Sequence, residues 1–149
     1  MALFVDPSTV THGIQLAVAP VFLLTAVSGM IGAVAGRLAR IIDRARVLEE
    51  RLKGSADAEF VREAQWELAR LRTRGLLANG TIGSLTLCAF MIGLTIILLF
   101  LGETTAFKGE SWAIVTFLFG VFCFMLALSC FLAETWMATR ILNFGRPKF

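Results

Sequence analysis

Hydrophobic and polar residues are segregated along this chain into long blocks. Gly13–Gly36, Gly75–Gly102 and Ser111–Ala133 contain no Lys, Arg, Asp or Glu. An α-helix needs about 20 apolar residues to cross a hydrocarbon core about 30 Å thick. Such a helix also satisfies its own backbone polar groups inside lipid. The pattern therefore predicts three transmembrane helices, over about 13–36, 75–102 and 111–134.

Between the first two blocks the apolar positions become periodic. Leu38, Ile41, Ala45, Leu48 and Leu52 recur at spacings of three and four, giving a heptad-like stripe. Gly54-Ser55-Ala56-Asp57 interrupts it, with Gly54 suited to end a helix and Ser55 or Asp57 to cap the next. A second stripe follows at Val61, Ala64, Leu68 and Leu71. Neither arm has a break where it meets its span. The first span is thus expected to continue as helix to about Lys53, and a second helix to return into the second span. The expected fold is an all-α membrane protein, a single membrane domain over 1–149. Its first two helices extend into a cytoplasmic antiparallel helical hairpin over about 37–74. Pro20 should bend the first helix, since it removes a ladder donor and crowds the preceding turn.

Composition supports this class. Hydrophobic residues make up 57 % of the chain and mean hydropathy is +0.77, against about 45–50 % apolar in soluble domains. Charge sets the expected orientation. Residues 37–74 hold ten of the fourteen basic residues and seven of the eleven acidic ones. Arg140, Arg146 and Lys148 follow the third span, while the Glu103–Glu110 loop has only Lys108 and the first twelve residues have no basic residue. The positive-inside rule then puts the N-terminus outside and the C-terminus in the cytoplasm. Trp112 and Trp136 bracket the third span at about 36 Å, as interfacial anchors would. Met1–His12 lacks a basic stretch and carries Asp6, so a cleaved signal peptide is not expected.

Polar and small residues within the spans are the first candidate site. Thr11, Gln15, Thr25, Gly29, Gly32 and Gly36 share one strip of the first span, and Arg40 and Asp43 continue it. Asn79, Gly83, Thr86 and Gly93 form a strip on the second, with Arg72 one heptad before Asn79. Small residues let membrane helices approach closely, so either strip alone is explained by helix packing. Two strips that each end in charge also fit a water-accessible pathway through an oligomer. In the third span the phenylalanines are spread around the helix, as for a lipid-facing helix, so spans one and two should be inner. Glu134, at the end of that span, should pair with a nearby basic residue or a headgroup.

The arms supply the second and third candidates. Arg37, Arg40, Arg44 and Arg51 share a strip, either an electropositive ring at a pore mouth or contacts to anionic lipid. Trp66 lies on the polar face, flanked one turn away by Arg62 and Arg70, which suggests a neighbouring subunit or the headgroup layer, with a cation–π contact in either setting. Local pairs such as Arg46 with Glu50 and Glu67 with Arg70 imply no chemistry. Nucleic acid is a poor partner, because acids are interleaved throughout and no aromatic stacking platform is present. His12 is isolated, and no P-loop, HExxH or GxSxG pattern occurs. Cys88, Cys123 and Cys130 lie inside spans without metal-ligand spacing. No enzyme activity, cofactor or metal is expected.

Arg37-Leu-Ala-Arg-Ile-Ile-Asp-Arg-Ala-Arg46, with Glu67-Leu-Ala-Arg-Leu-Arg-Thr-Arg74 downstream and Ala19-Pro20 upstream, resembles a family of small bacterial three-span membrane proteins classed as a domain of unknown function. The resemblance implies the bacterial inner membrane and marks Arg37, Arg40, Asp43, Arg44, Arg46, Arg72 and Arg74 as family-like positions. It implies no activity. The expected function is a homo-oligomeric, ion-conducting channel with a basic cytoplasmic vestibule. The alternative is a membrane-anchored scaffold or regulatory protein whose hairpin binds a cytoplasmic protein partner or anionic lipid.

Overall fold

The computed structural model describes residues 7–54, 57–104 and 110–143. They form three α-helices: α1 (Pro7–Gly54), α2 (Ala58–Thr104) and α3 (Glu110–Asn143). All three are long and apolar enough to cross a membrane. The protein is an all-helical membrane protein with transmembrane helices. At 48 and 47 residues, α1 and α2 are more than twice the length a bilayer core requires. Helix α1 is continuous through Pro20, whose side chain is buried. Asp57 is the N-cap of α2: its Oδ1 accepts from the Glu59 backbone N–H at 3.0 Å, and its carbonyl accepts from Val61. Ser55, most of the Glu103–Glu110 loop, and the tail cations Arg146 and Lys148 lie outside the described residues.

Burial follows steps of seven residues on every helix. The series runs through Val27, Val34 and Ile41 on α1, and Ala64, Leu71, Ala78, Leu85 and Ile92 on α2. On α3 it runs through Ala113, Gly120, Ala127 and Glu134, and Ala17, Thr81, Cys88, Thr95 and Cys123 are buried beside these series. A seven-residue seam is the repeat of helices packed side by side at shallow angles. The stripes read from the sequence lie along it: Ile41, Ala64 and Leu71 are buried, while Leu38, Ala45, Leu48, Leu52, Val61 and Leu68 are half-buried.

Internal contacts group the chain into two compact units. One comprises the described residues up to Ile31 together with Ser84–Met125; the other comprises Gly32–Gly83 and the described residues from Leu126 onward. The first unit is apolar and closely packed. A Cβ added at Gly120 would sit 3.3 Å from Ile92 Cγ1, 3.4 Å from Met91 Cβ and 3.6 Å from the Cys88 carbonyl. Glycine is what lets α3 approach α2 this closely. In this unit the Thr95 and Thr116 hydroxyls also join the same helices through a hydrogen bond of 2.9 Å. Both hydroxyls also lie within reach of backbone carbonyls on their own helices. Cys88 and Cys123 are buried free thiols.

In the second unit, α1 and α2 contact one another through the arms. Gly75 faces Ile41 and Leu38, with a Cβ there 3.8 Å from Ile41 Cγ2. Nearer the arm ends, Arg44 meets Glu67. Cys130 is half-buried in this unit, and its thiol is free.

Candidate functional site

The charges at the ends of the apolar blocks converge within the second unit. Glu134 occupies the α3 seam position that follows Gly120 and Ala127, so the seven-residue repeat buries a carboxylate to 2 % exposure. A buried carboxylate needs compensating charge and hydrogen bonds. Arg37 supplies one partner, its Nη2 lying 3.0 Å from Glu134 Oε2. Arg74 supplies the other, donating from Nε at 3.1 Å and Nη2 at 2.8 Å to Oε1. Arg37 also donates from Nη1 to Thr135 Oγ1 at 3.1 Å and lies over the Phe131 ring, 5.0 Å from its centroid. Two guanidinium groups around one carboxylate leave one positive charge in excess. Among the described residues, no buried side-chain nitrogen or oxygen lacks a partner.

This cluster places Arg37 differently from the other strip arginines. Arg37 is only 27 % exposed and committed to Glu134. Arg44 is 70 % exposed and donates from Nε to Glu67 Oε1 at 2.8 Å. Arg40 and Arg51 are exposed and form no ion pair among the described residues. The local pairs expected from spacing give way to pairs between helices. Glu67 takes Arg44 of α1 rather than its neighbour Arg70, and Arg46 and Glu50 form no ion pair among the described residues. Glu134 does pair with basic residues, as expected, but with two at once and away from solvent.

A groove of about 730 Å³ opens beside the cluster, lined in part by Arg44, Arg62, Trp66, Arg70 and Arg74. Trp66 is 69 % exposed, and the Arg70 guanidinium carbon stands 5.9 Å from its ring centroid. The expected flanking of Trp66 by basic side chains is therefore present, with Arg70 within cation–π range.

The small-residue strips point away from the chain's own seams. Gln15, Thr25, Gly29, Gly32 and Gly36 on α1 are exposed, as are Asn79, Gly83 and Thr86 on α2. A Cβ added at Gly29, Gly32, Gly36 or Gly83 would meet no atom within 4 Å. The Thr25 hydroxyl donates to the Val21 carbonyl at 3.1 Å. Gln15 and Asn79 have no side-chain hydrogen-bond partner among the described residues. Among those residues, no group of His, Cys, Asp and Glu is arranged to hold a metal ion.

Sequence reading missed the meeting of Arg37, Arg74 and Glu134, although a signal existed. Arg37 and Arg74 are the charges that bound the first two apolar blocks on one side, and Glu134 ends the third. Helices crossing the same core bring such boundary residues to one level.

A family model described as a protein of unknown function, DUF2721, matches residues 17–144, and the chain belongs to that family. No curated protein and no solved structure matches the chain.

Proposed function

We propose that this DUF2721 protein is a homo-oligomeric, ion-conducting channel of the bacterial inner membrane, with its N-terminus outside and its C-terminus in the cytoplasm. The observation that carries the reading is the open space over Gly29, Gly32, Gly36 and Gly83. Glycine in a helix interior costs about 0.5–1 kcal/mol relative to alanine, and here no packing among the described residues offsets it. Close approach of another copy would, as in small-xxx-small contacts between membrane helices. A closed ring buries such a face on every copy. Gln15 and Asn79 lie on these strips and have no side-chain hydrogen-bond partner among the described residues. An aqueous path would hydrate their amides where lipid would not. The α1 and α2 arms form the cytoplasmic antiparallel hairpin. Contacts of Gly75 with Ile41 and of Glu67 with Arg44 support it, since one number falls as the other rises. Arg40 and Arg51 supply the basic vestibule.

Mass measurement in native-like lipid tests the assembly, and a monomer overturns it. Planar-bilayer recording tests conduction: discrete currents are expected, and Arg40→Glu with Arg51→Glu should shift selectivity toward cations. Silence across voltage, tension and pH counts against a channel.

The exposed Trp66 between Arg62 and Arg70 favours a second reading, a membrane-anchored scaffold whose hairpin docks a cytoplasmic protein or anionic lipid. A partner retained on Asn79→Ala and lost on Trp66→Ala would support it.

A further inference from the structure

The groove at the arms has the composition of a ligand site. At about 730 Å³ it falls within the range typical of small-molecule pockets. Four arginines line it against two glutamates, Glu63 and Glu67, leaving two positive charges in excess. These charges are not equivalent. Arg74 is committed to the buried Glu134 and forms a fixed wall, while Arg44 is paired with Glu67 at the surface. Arg62 and Arg70 are exposed and form no ion pair among the described residues. They sit one helical turn either side of Trp66, whose large apolar ring stays in the open. Leu71 contributes a buried apolar contact at the base.

A solvated helix face explains the arginines but gives the exposed Trp66 ring no role. A ligand that joins a phosphate to an apolar part explains both, since the arginines meet the anion and the ring meets the apolar part. Guanidinium groups bind phosphate oxygens through paired N–H donors, with geometry a lysine cannot reproduce. We propose that this groove binds a phosphate-bearing anion, with Arg62 and Arg70 holding the phosphoryl oxygens and the Trp66 ring covering the ligand. Arg62 to Arg74 spans about 18 Å of helix. A ligand engaging Arg62 is therefore either a free phosphate compound or a lipid whose phosphate headgroup reaches along the arm. The proposal stands independently of conduction.

The test uses the full chain carrying Trp112→Phe and Trp136→Phe, so that Trp66 is the only emitter, reconstituted in nanodiscs. In one arm, discs of phosphatidylcholine are titrated with inorganic pyrophosphate. In the other, discs containing phosphatidylglycerol are compared with phosphatidylcholine alone. A saturable change in Trp66 emission with pyrophosphate identifies a free phosphate ligand. A change only with phosphatidylglycerol identifies a headgroup. In either case Arg62→Gln with Arg70→Gln should weaken the response about tenfold or more. Arg46→Gln, exposed and outside the groove, should leave it unchanged, and Glu63→Gln should strengthen it. Circular dichroism reports whether each variant keeps its helices. No response in either arm, or a response indifferent to the Arg62 and Arg70 changes, overturns the proposal.

Discussion

The two compact units hold the same three helices together by different means. In the unit containing Ser84–Met125, α2 and α3 meet through close approach at Gly120 and a Thr95–Thr116 hydrogen bond, among apolar neighbours. In the unit containing Gly32–Gly83, the contacts are directional: Arg37 and Arg74 on Glu134, and Arg44 on Glu67. Close packing tolerates small slides when volumes are kept. A charge cluster fixes the axial register of each helix that contributes to it, because one buried group left alone is costly. The contrast teaches that register in this protein is specified where the charges are, and distance where the small residues are.

The largest effect should come from the cluster. Glu134→Ala leaves two guanidinium groups facing each other and should cost about 3–5 kcal/mol, read as the loss of cooperative thermal unfolding in detergent. Replacing all three members together, as Arg37→Met, Glu134→Leu and Arg74→Met, should recover much of that loss, since no charge is then stranded. If Glu134→Ala melts like the parent, directional register is the wrong account of this unit.

Next comes Gly120. Gly120→Val forces atoms against Ile92 and Met91 and should cost about 1–3 kcal/mol by the same melt. A Cβ at Gly32 meets no atom of the described residues within 4 Å, so the isolated monomer should tolerate Gly32→Val. The same change should weaken association if another copy covers that face. Equal destabilisation of the monomer by both variants would erase the distinction between the two glycines.

Thr95→Val removes the hydrogen bond to the Thr116 hydroxyl and should cost about 0.6 kcal/mol, the usual size for such bonds between membrane helices. A loss as large as that of Glu134→Ala would show that the apolar unit also depends on polar register. The smallest effect belongs to Arg44 and Glu67, an exposed pair. Glu67→Gln should cost less than about 1 kcal/mol, and added salt should shrink the difference from the parent. A salt-insensitive penalty would mean that the pair is shielded from water.

Helix identity and the faces that pack were legible along the chain. Leu38 to Leu52 and Val61 to Leu71 are spaced so that each helix carries its own apolar stripe, and the structure buries or half-buries those positions. The cap at Asp57 was legible for the same reason, because its partner Glu59 lies two residues away. The candidate site was legible only in part. Trp66 with its flanking arginines could be seen, since turn-spaced neighbours on one helix meet wherever the helix goes. Arg37 was grouped with Arg40, Arg44 and Arg51 because they share a strip, and nothing local separates it from them.

Three long helices, their apolar blocks and their heptad faces follow from the order of residues, because hydrophobic periodicity is a property of each helix alone. Tertiary structure decided which charges are free. Arg74 and Glu134 are 60 residues apart, and Arg37 is 98 from Thr135. Whether such groups meet depends on how three helices are rotated and slid against one another. A shift of one residue along a helix turns a side chain by about 100°. That sensitivity makes Glu134 a buried partner of two arginines and leaves Arg62 and Arg70 available at the groove.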